Sequence, residues 1–186
     1  MRRSLAVLWA ILLSAALTQP CSRANAADPT RFDILSLRLY MSVPEVLERL
    51  RAQGIADAAV RLGPEGCPMA HAELCAGTIS ARTRDGQLLL QLAAAPGRGG
   101  ARIVYRIAYT IVGRGPVDTD ALRADAIDRY GSPTSPTTTT WCARLDPLTG
   151  TCPADQPLLR IEPAPHAAAL VTLSDETIPA RKPPGG

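Results

Sequence analysis

Aromatic side chains are scarce in this chain: 186 residues hold one phenylalanine, two tryptophans and four tyrosines. Its core must therefore be built largely from Leu, Ile, Val and Ala. Histidine is scarcer still, with only His71 and His166. A hydrolase would need one of them beside an activated Ser or Cys and a carboxylate. Ser132 in "YGSPT" lacks the spacing of a nucleophile elbow, and Ser174-Asp175-Glu176 reads as a polar turn at a strand end. The glycine-rich "GRGG" at 97–100 has no Lys-Ser/Thr after it and no helix to aim at a phosphate. Paired carboxylates fall where helices explain them: Glu45/Glu48 and Asp118/Asp120 at helix starts, Asp125 and Asp128 on a solvated helix face. Neither a calcium loop nor a zinc-protease motif is present, so no catalytic residue, metal ligand set or cofactor is assigned.

Long apolar runs are lacking too. The run Leu5 to Leu17, broken only by Ser14, is too short to span a bilayer as a permanent helix. Behind Arg2 and Arg3, and before the small residues of Ala24-Asn25-Ala26, it reads as a secretory leader cleaved after Ala26. Thr18-Gln19-Pro20 before Cys21 does not match a lipoprotein signal, and Ser4-Leu5-Ala6 is a poor twin-arginine continuation. Sec export into a periplasm or medium is the expectation, with no transmembrane segment once the leader is gone. The leader carries three arginines and no acid, so the 20 basic residues fall to 17, matching the 17 acids. A neutral chain has no net electrostatic pull toward nucleic acid or an anionic membrane. Lysine is nearly missing, Lys182 being the only one, which reflects an Ala-, Arg- and Pro-rich coding bias.

What is present begins with four cysteines beyond the leader: Cys67, Cys75, Cys142 and Cys152. An even number in an exported chain reads as a disulfide framework, for which three pairings exist. The local pairs Cys67–Cys75 and Cys142–Cys152 are favoured, because each closes a short turn-rich segment, "CPMAHAELC" and "CARLDPLTGTC". Asp146-Pro147 followed by Gly150 suits a chain reversal. Each closure is worth about 2–3 kcal/mol. The rival reading is a metal site in which Cys67, His71 and Cys75 share one helix face, but zinc wants a fourth ligand that is not visible nearby.

Along the chain, "FDILSLRL" alternates apolar residues and is expected to be a strand. Ser42 and Glu45 form a capping box, Pro44 sits in the first turn, Val46, Leu47 and Leu50 face inward, Glu45 can pair with Arg49, and Gly54 stops the helix. A weaker strand, "AAVRLG", precedes the first cysteine loop. "GTISARTRDGQLLLQLAAAP" is expected to be a hairpin turning at Asp85-Gly86. In "ARIVYRIAYTIVG" one strand face collects Ile103, Tyr105, Ile107, Tyr109 and Ile111, and the other Arg102, Arg106 and Thr110. A second helix follows, with Asp118 as N-cap, Leu122, Ala126, Ile127 and Tyr130 inward, and Gly131 at its end. "SPTSPTTTT" reads as an extended linker before strands in "TTTWCARL", "PLLRIEP" and "HAAALVTLSD", and the tail 179–186 as disordered. The order is thus strand, helix, three strands, helix, three strands, so that a helix followed by three strands occurs twice, over 27–115 and 116–178.

The stretch "RLYMSVPEVLERL…G" resembles the unit of small exported bacterial proteins similar to outer-membrane assembly lipoproteins of the SmpA/BamE type and to β-lactamase inhibitor protein. In that pattern Gly-Met-Ser/Thr precedes a helix ending in glycine, and antiparallel strands follow. Met41, Ser42, Val46 and Leu50 match, Tyr40 replaces the usual glycine, and "RYGSP" at Arg129 to Pro133 resembles the end of such helices. The resemblance implies an α+β fold, a helix packed on an antiparallel sheet, in one unit or two in tandem. It also implies a non-enzymatic role in protein binding or envelope assembly, with an envelope protein as partner. Trp141, beside a stapled loop, and the strand tyrosines Tyr105 and Tyr109 are the candidate binding aromatics. The competing function is a small periplasmic hydrolase or metal-binding protein centred on His71.

Overall fold

A computed structural model describes residues 28–65, 67–95, 100–112, 119–164 and 169–180. The leader, residues 97–99 of the glycine-rich loop, Asp118, His166 and residues 181–186 lie outside the described residues. The chain is α+β. Among the described residues, seven strands form one antiparallel sheet: β1 (Val60–Gly63), β2 (Thr78–Arg82), β3 (Gly86–Ala94), β4 (Arg102–Ile111), β5 (Thr140–Cys142), β6 (Leu158–Glu162) and β7 (Ala169–Ser174). Their order is β1-β2-β3-β4-β7-β6-β5. Residues of the two expected units therefore meet inside one sheet, where β4 pairs with β7 from Arg106↔Ser174 to Ile111↔Ala169.

Leu88, Leu90 and Leu92 on β3 are buried, while Leu89 between them is exposed, so the sheet has a dry face and a wet one. Helix α1 (Val43–Ala52) covers the dry face with Val43, Val46, Leu47 and Leu50. Its start is held by the Glu45 carboxylate, which accepts from the Ser42 amide and hydroxyl at 2.7 Å each. Its end is a Schellman turn: Gly54, at φ +77, donates to Arg51 O at 2.9 Å, and Ile55 to Leu50 O at 3.0 Å. The short α2 (Ala72–Cys75) and the longer α3 (Thr119–Tyr130) lie on the same face. α3 buries only Ala126 fully. Its last turn is fastened by stacking of Tyr130 on Phe32, ring centroids 4.2 Å apart, and by the Tyr130 hydroxyl donating to Asp33 O at 2.7 Å.

Three local expectations are corrected. The first concerns "FDILSLRL", which is a reversal and not a strand. Ile34 and Leu37 exchange both backbone hydrogen bonds at 3.0 Å across Leu35 and Ser36, whose φ angles are +52° and +58°. Folding back on itself lets Phe32, Ile34, Leu37 and Leu39 all be buried. Asp33 braces the turn by accepting from the Ser36 amide at 3.0 Å, and the Gln53 amide at the end of α1 donates to Leu35 O.

Second, the β2–β3 hairpin turns one residue earlier than expected. Arg82 faces Gln87, and Thr83 donates to Gly86 O at 3.0 Å, so Arg84-Asp85 are the central pair. Gly86 is needed for another reason: a Cβ there would collide with the Thr110 carbonyl oxygen of β4. Third, β4 does not keep one face throughout. Gln91 pairs with Arg106 but Leu92 with Val104, which leaves Tyr105 as the extra residue of a bulge. One inserted residue inverts the alternation. Val104, Ile107 and Tyr109 therefore join the main core, while Ile103 and Tyr105 pack on the opposite face with Ala93, Ala95 and Ile178 of α4 (Thr177–Ala180).

The segment read as a linker is also structured in part. Pro136–Thr138 form a single 3-10 turn, and β5 begins at Thr140. Pro179 and Ala180, expected in the tail, complete α4.

Candidate functional site

Both local disulfides are formed, Cys67–Cys75 and Cys142–Cys152. The second staples the connection between β5 and β6, and the residues inside it build a rigid turn. Asp146 donates its amide to Thr151 O at 2.8 Å and accepts Gly150 N on its own carbonyl at 2.9 Å. Gly150, at φ +66, turns the chain back in a conformation that favours glycine. The Asp146 Oδ1 accepts the amides of Leu148 at 2.8 Å and Thr149 at 2.9 Å. These bonds to the charged carboxylate, Thr149 foremost and then Leu148, hold its pKa below the usual range. At the base, the buried Gln156 side chain accepts from Arg144 N at 3.1 Å and donates to Arg144 O at 2.7 Å. Arg144 also pairs with Asp155 at 2.6 Å.

This framework lifts one side chain clear of the protein. Leu148 is 93% exposed, the highest value of any large apolar residue described, and Leu145 beside it is 37% exposed. The loop is thus a pre-ordered mount for an apolar knob, and its Asp146 carboxylate is taken up in bracing the turn. Sequence reasoning passed over Leu148. The signal was there: in Asp-Pro-Leu-Thr-Gly between two bonded cysteines, a turn that small has no interior, so its one large apolar residue must point outward.

The expected aromatics sit elsewhere. Trp141 is fully buried and donates its indole N–H to Gly131 O at 2.7 Å, so it anchors the end of α3 and offers no exposed surface. Tyr105 and Tyr109 are separated by the bulge onto opposite faces and form no shared strip. The Tyr105 hydroxyl donates to Gln91 Oε1 at 3.1 Å, and that of Tyr109 lies 2.9 Å from Thr83 Oγ1. His71 is exposed at the end of the Met69–His71 3-10 turn. The sulfurs of Cys67 and Cys75 on either side of it are bonded to each other and are no longer thiolate ligands.

Ser174-Asp175-Glu176 is the polar turn at a strand end, and its aspartate has a bracing role. Asp175 is buried; it accepts the Tyr40 hydroxyl at 2.7 Å, and the amide and hydroxyl of Thr177 at 3.0 and 2.6 Å. Its own amide donates to Tyr105 O at 2.8 Å, in the bulge. Glu176 faces Arg106 at 3.6 Å.

In comparisons with known proteins, no family model, no curated protein and no solved structure matches this chain.

Proposed function

We propose that this chain is an exported, non-enzymatic binding protein of the bacterial envelope, an assembly accessory that grips a partner protein with the Cys142–Cys152 loop. Residues 1–26 are its leader, the periplasm or medium its destination, and 27–115 and 116–178 two helix-on-sheet units fused through β4 and β7. Two disulfides suit maturation in an oxidising compartment. Among the described residues no helix is long and apolar enough to cross a membrane. The resemblance of the stretch from Arg38 to Gly54 to envelope assembly lipoproteins points the same way, and the turn at Tyr40 adds to it: the residue replacing the usual glycine has φ +66.

The observation that carries the reading is Leu148, 93% exposed on a loop whose backbone is already held by a disulfide and the Asp146 bonds. An apolar side chain kept in water at the tip of an ordered turn costs stability nothing to bury later, and the loop loses little entropy on binding. Seating a leucine in an apolar pocket is worth about 1.5–3 kcal/mol. Its partner is therefore an envelope protein with a leucine-sized apolar pocket.

A photo-crosslinking residue at position 148, expressed in the native envelope, tests this. One discrete adduct is expected, absent from the same probe at Arg84 and abolished when Asp146→Ala loosens the turn. Equal labelling from both positions, or a clean monomer, would sink the reading.

A further inference from the structure

On the wet face of the sheet, we infer that Arg61, Ser80, Arg82 and Gln87 form a binding site for an oxyanion group, independent of the stapled loop. The register brings them together. Arg61 on β1 lies opposite Ser80 on β2, and Arg82 on β2 lies opposite Gln87 on β3. The alternation that buries Val60, Ile79, Ala81 and Leu88 turns these four side chains to the other face. Neighbours so placed have Cβ atoms about 5–8 Å apart, within reach of one small ligand for side chains as long as arginine.

The four line a cavity of about 350 Å³ whose wall is made by Ala58 and Ala59. Two alanines leave room that larger side chains would fill. Both guanidinium groups are pure donors, and the serine hydroxyl and glutamine amide can also donate. No carboxylate lines the cavity. Asp57, one residue before the alanine wall, is engaged by Arg51 through a two-bond contact at 2.8 and 3.2 Å. Arg106 and Arg160, further along the same face, have Glu176 and Glu162 at 3.6 Å, but neither Arg61 nor Arg82 has an ion-pair partner among the described residues. Two neighbouring cations, joined along the cavity wall by a hydroxyl and an amide that can also donate, suit an anion. A guanidinium fork matches the paired oxygens of a phosphate or carboxylate. The balanced charge of the exported chain conceals this local excess, which is why composition gave no sign of it.

The probe is inorganic phosphate, titrated into the chain while the arginine Nε–Hε signals are followed by NMR at low salt. Arg61 and Arg82 should shift saturably, while Arg38 and Arg49, exposed elsewhere, should not. Arg61→Gln and Arg82→Gln should each weaken binding about tenfold or more, as loss of a charged hydrogen bond does, with thermal unfolding unchanged. Linear drift without saturation, equal shifts at the control arginines, or indifference to both substitutions would overturn the site. Sedimentation with phosphatidylglycerol vesicles and with phosphatidylcholine vesicles separates the sources. Binding to the former alone, lost in both variants, identifies a lipid headgroup, and saturable phosphate binding without sedimentation identifies a free anion.

Discussion

Tyr40 shows how a single residue can be strained and needed at once. Its φ of +66 is a conformation that costs an L-residue about 1–2 kcal/mol. The tyrosine keeps its position because its hydroxyl reaches the buried Asp175 at 2.7 Å. Removing only that hydroxyl, in Tyr40→Phe, leaves the strain and deprives a buried carboxylate of a donor. A loss of about 1–3 kcal/mol is expected, read from the urea midpoint. Asp146 makes a second prediction at this scale. Its carboxyl titrates below the usual range, so the ionised form is favoured when the turn is folded. The contribution is therefore complete above the ordinary aspartate pKa of about 3.9 and is lost as pH falls through the lowered folded value. In an NMR pH titration the amide proton shifts of Leu148 and Thr149 should stay constant at neutral pH and move upfield together on acidification below that range, with the sheet amides unaffected.

At the scale of elements, legibility followed whether a feature leaves a mark in residue type. The capping box of Ser42 and Glu45 and the glycine at 54 are chemical marks, and α1 lies where they put it. The β2–β3 hairpin was equally plain, although Gly86 was read as turn chemistry when its true constraint is the Thr110 carbonyl of the next strand. A long-range contact has no local signature. The bulge at Tyr105 left none either, since any residue can be the extra one, and it divided two tyrosines that a period of two had joined. The reversal at Leu35-Ser36 was hidden because neither residue is a usual left-handed one. Replacing the pair with Asn-Gly, which favours that turn, should raise stability by about 1–2 kcal/mol in thermal unfolding. If the double variant is instead destabilised, the reversal is not a strained two-residue turn. The stapled loop was legible as a loop, yet its exposed leucine was not, because a leucine's residue type points to a core and only the size of the closed turn turns it outward.

Across the described residues, α1, α2 and α3 lie on one face of the sheet and the short α4 on the other, and the two disulfides each clip a connection at the periphery. Each therefore stabilises by shortening the unfolded chain and not by tying the layers together. Replacing Cys142 and Cys152 together by serine should cost about 2–3 kcal/mol, a fall of about 5–10 °C in Tm, with the circular dichroism of the sheet retained. Collapse of that spectrum would show the loop to be integral to the sheet. The far edge needs no such help: β5 is already covered by Ser135, which exchanges backbone bonds with Thr140 at 2.9 and 3.1 Å, and by Thr134, whose hydroxyl bonds Cys142 on both sides.

The strand order has a further consequence in time. β4 stands at the centre of the sheet, but one of its edges waits for β7, which follows it in the chain only after α3, β5 and β6. Until Ala169–Ser174 arrives, the central strand presents an unsatisfied ladder that any other extended chain could fill. The sheet is closed by its last strand in chain order, so a product cut short before residue 169 exposes the ladder of its central strand.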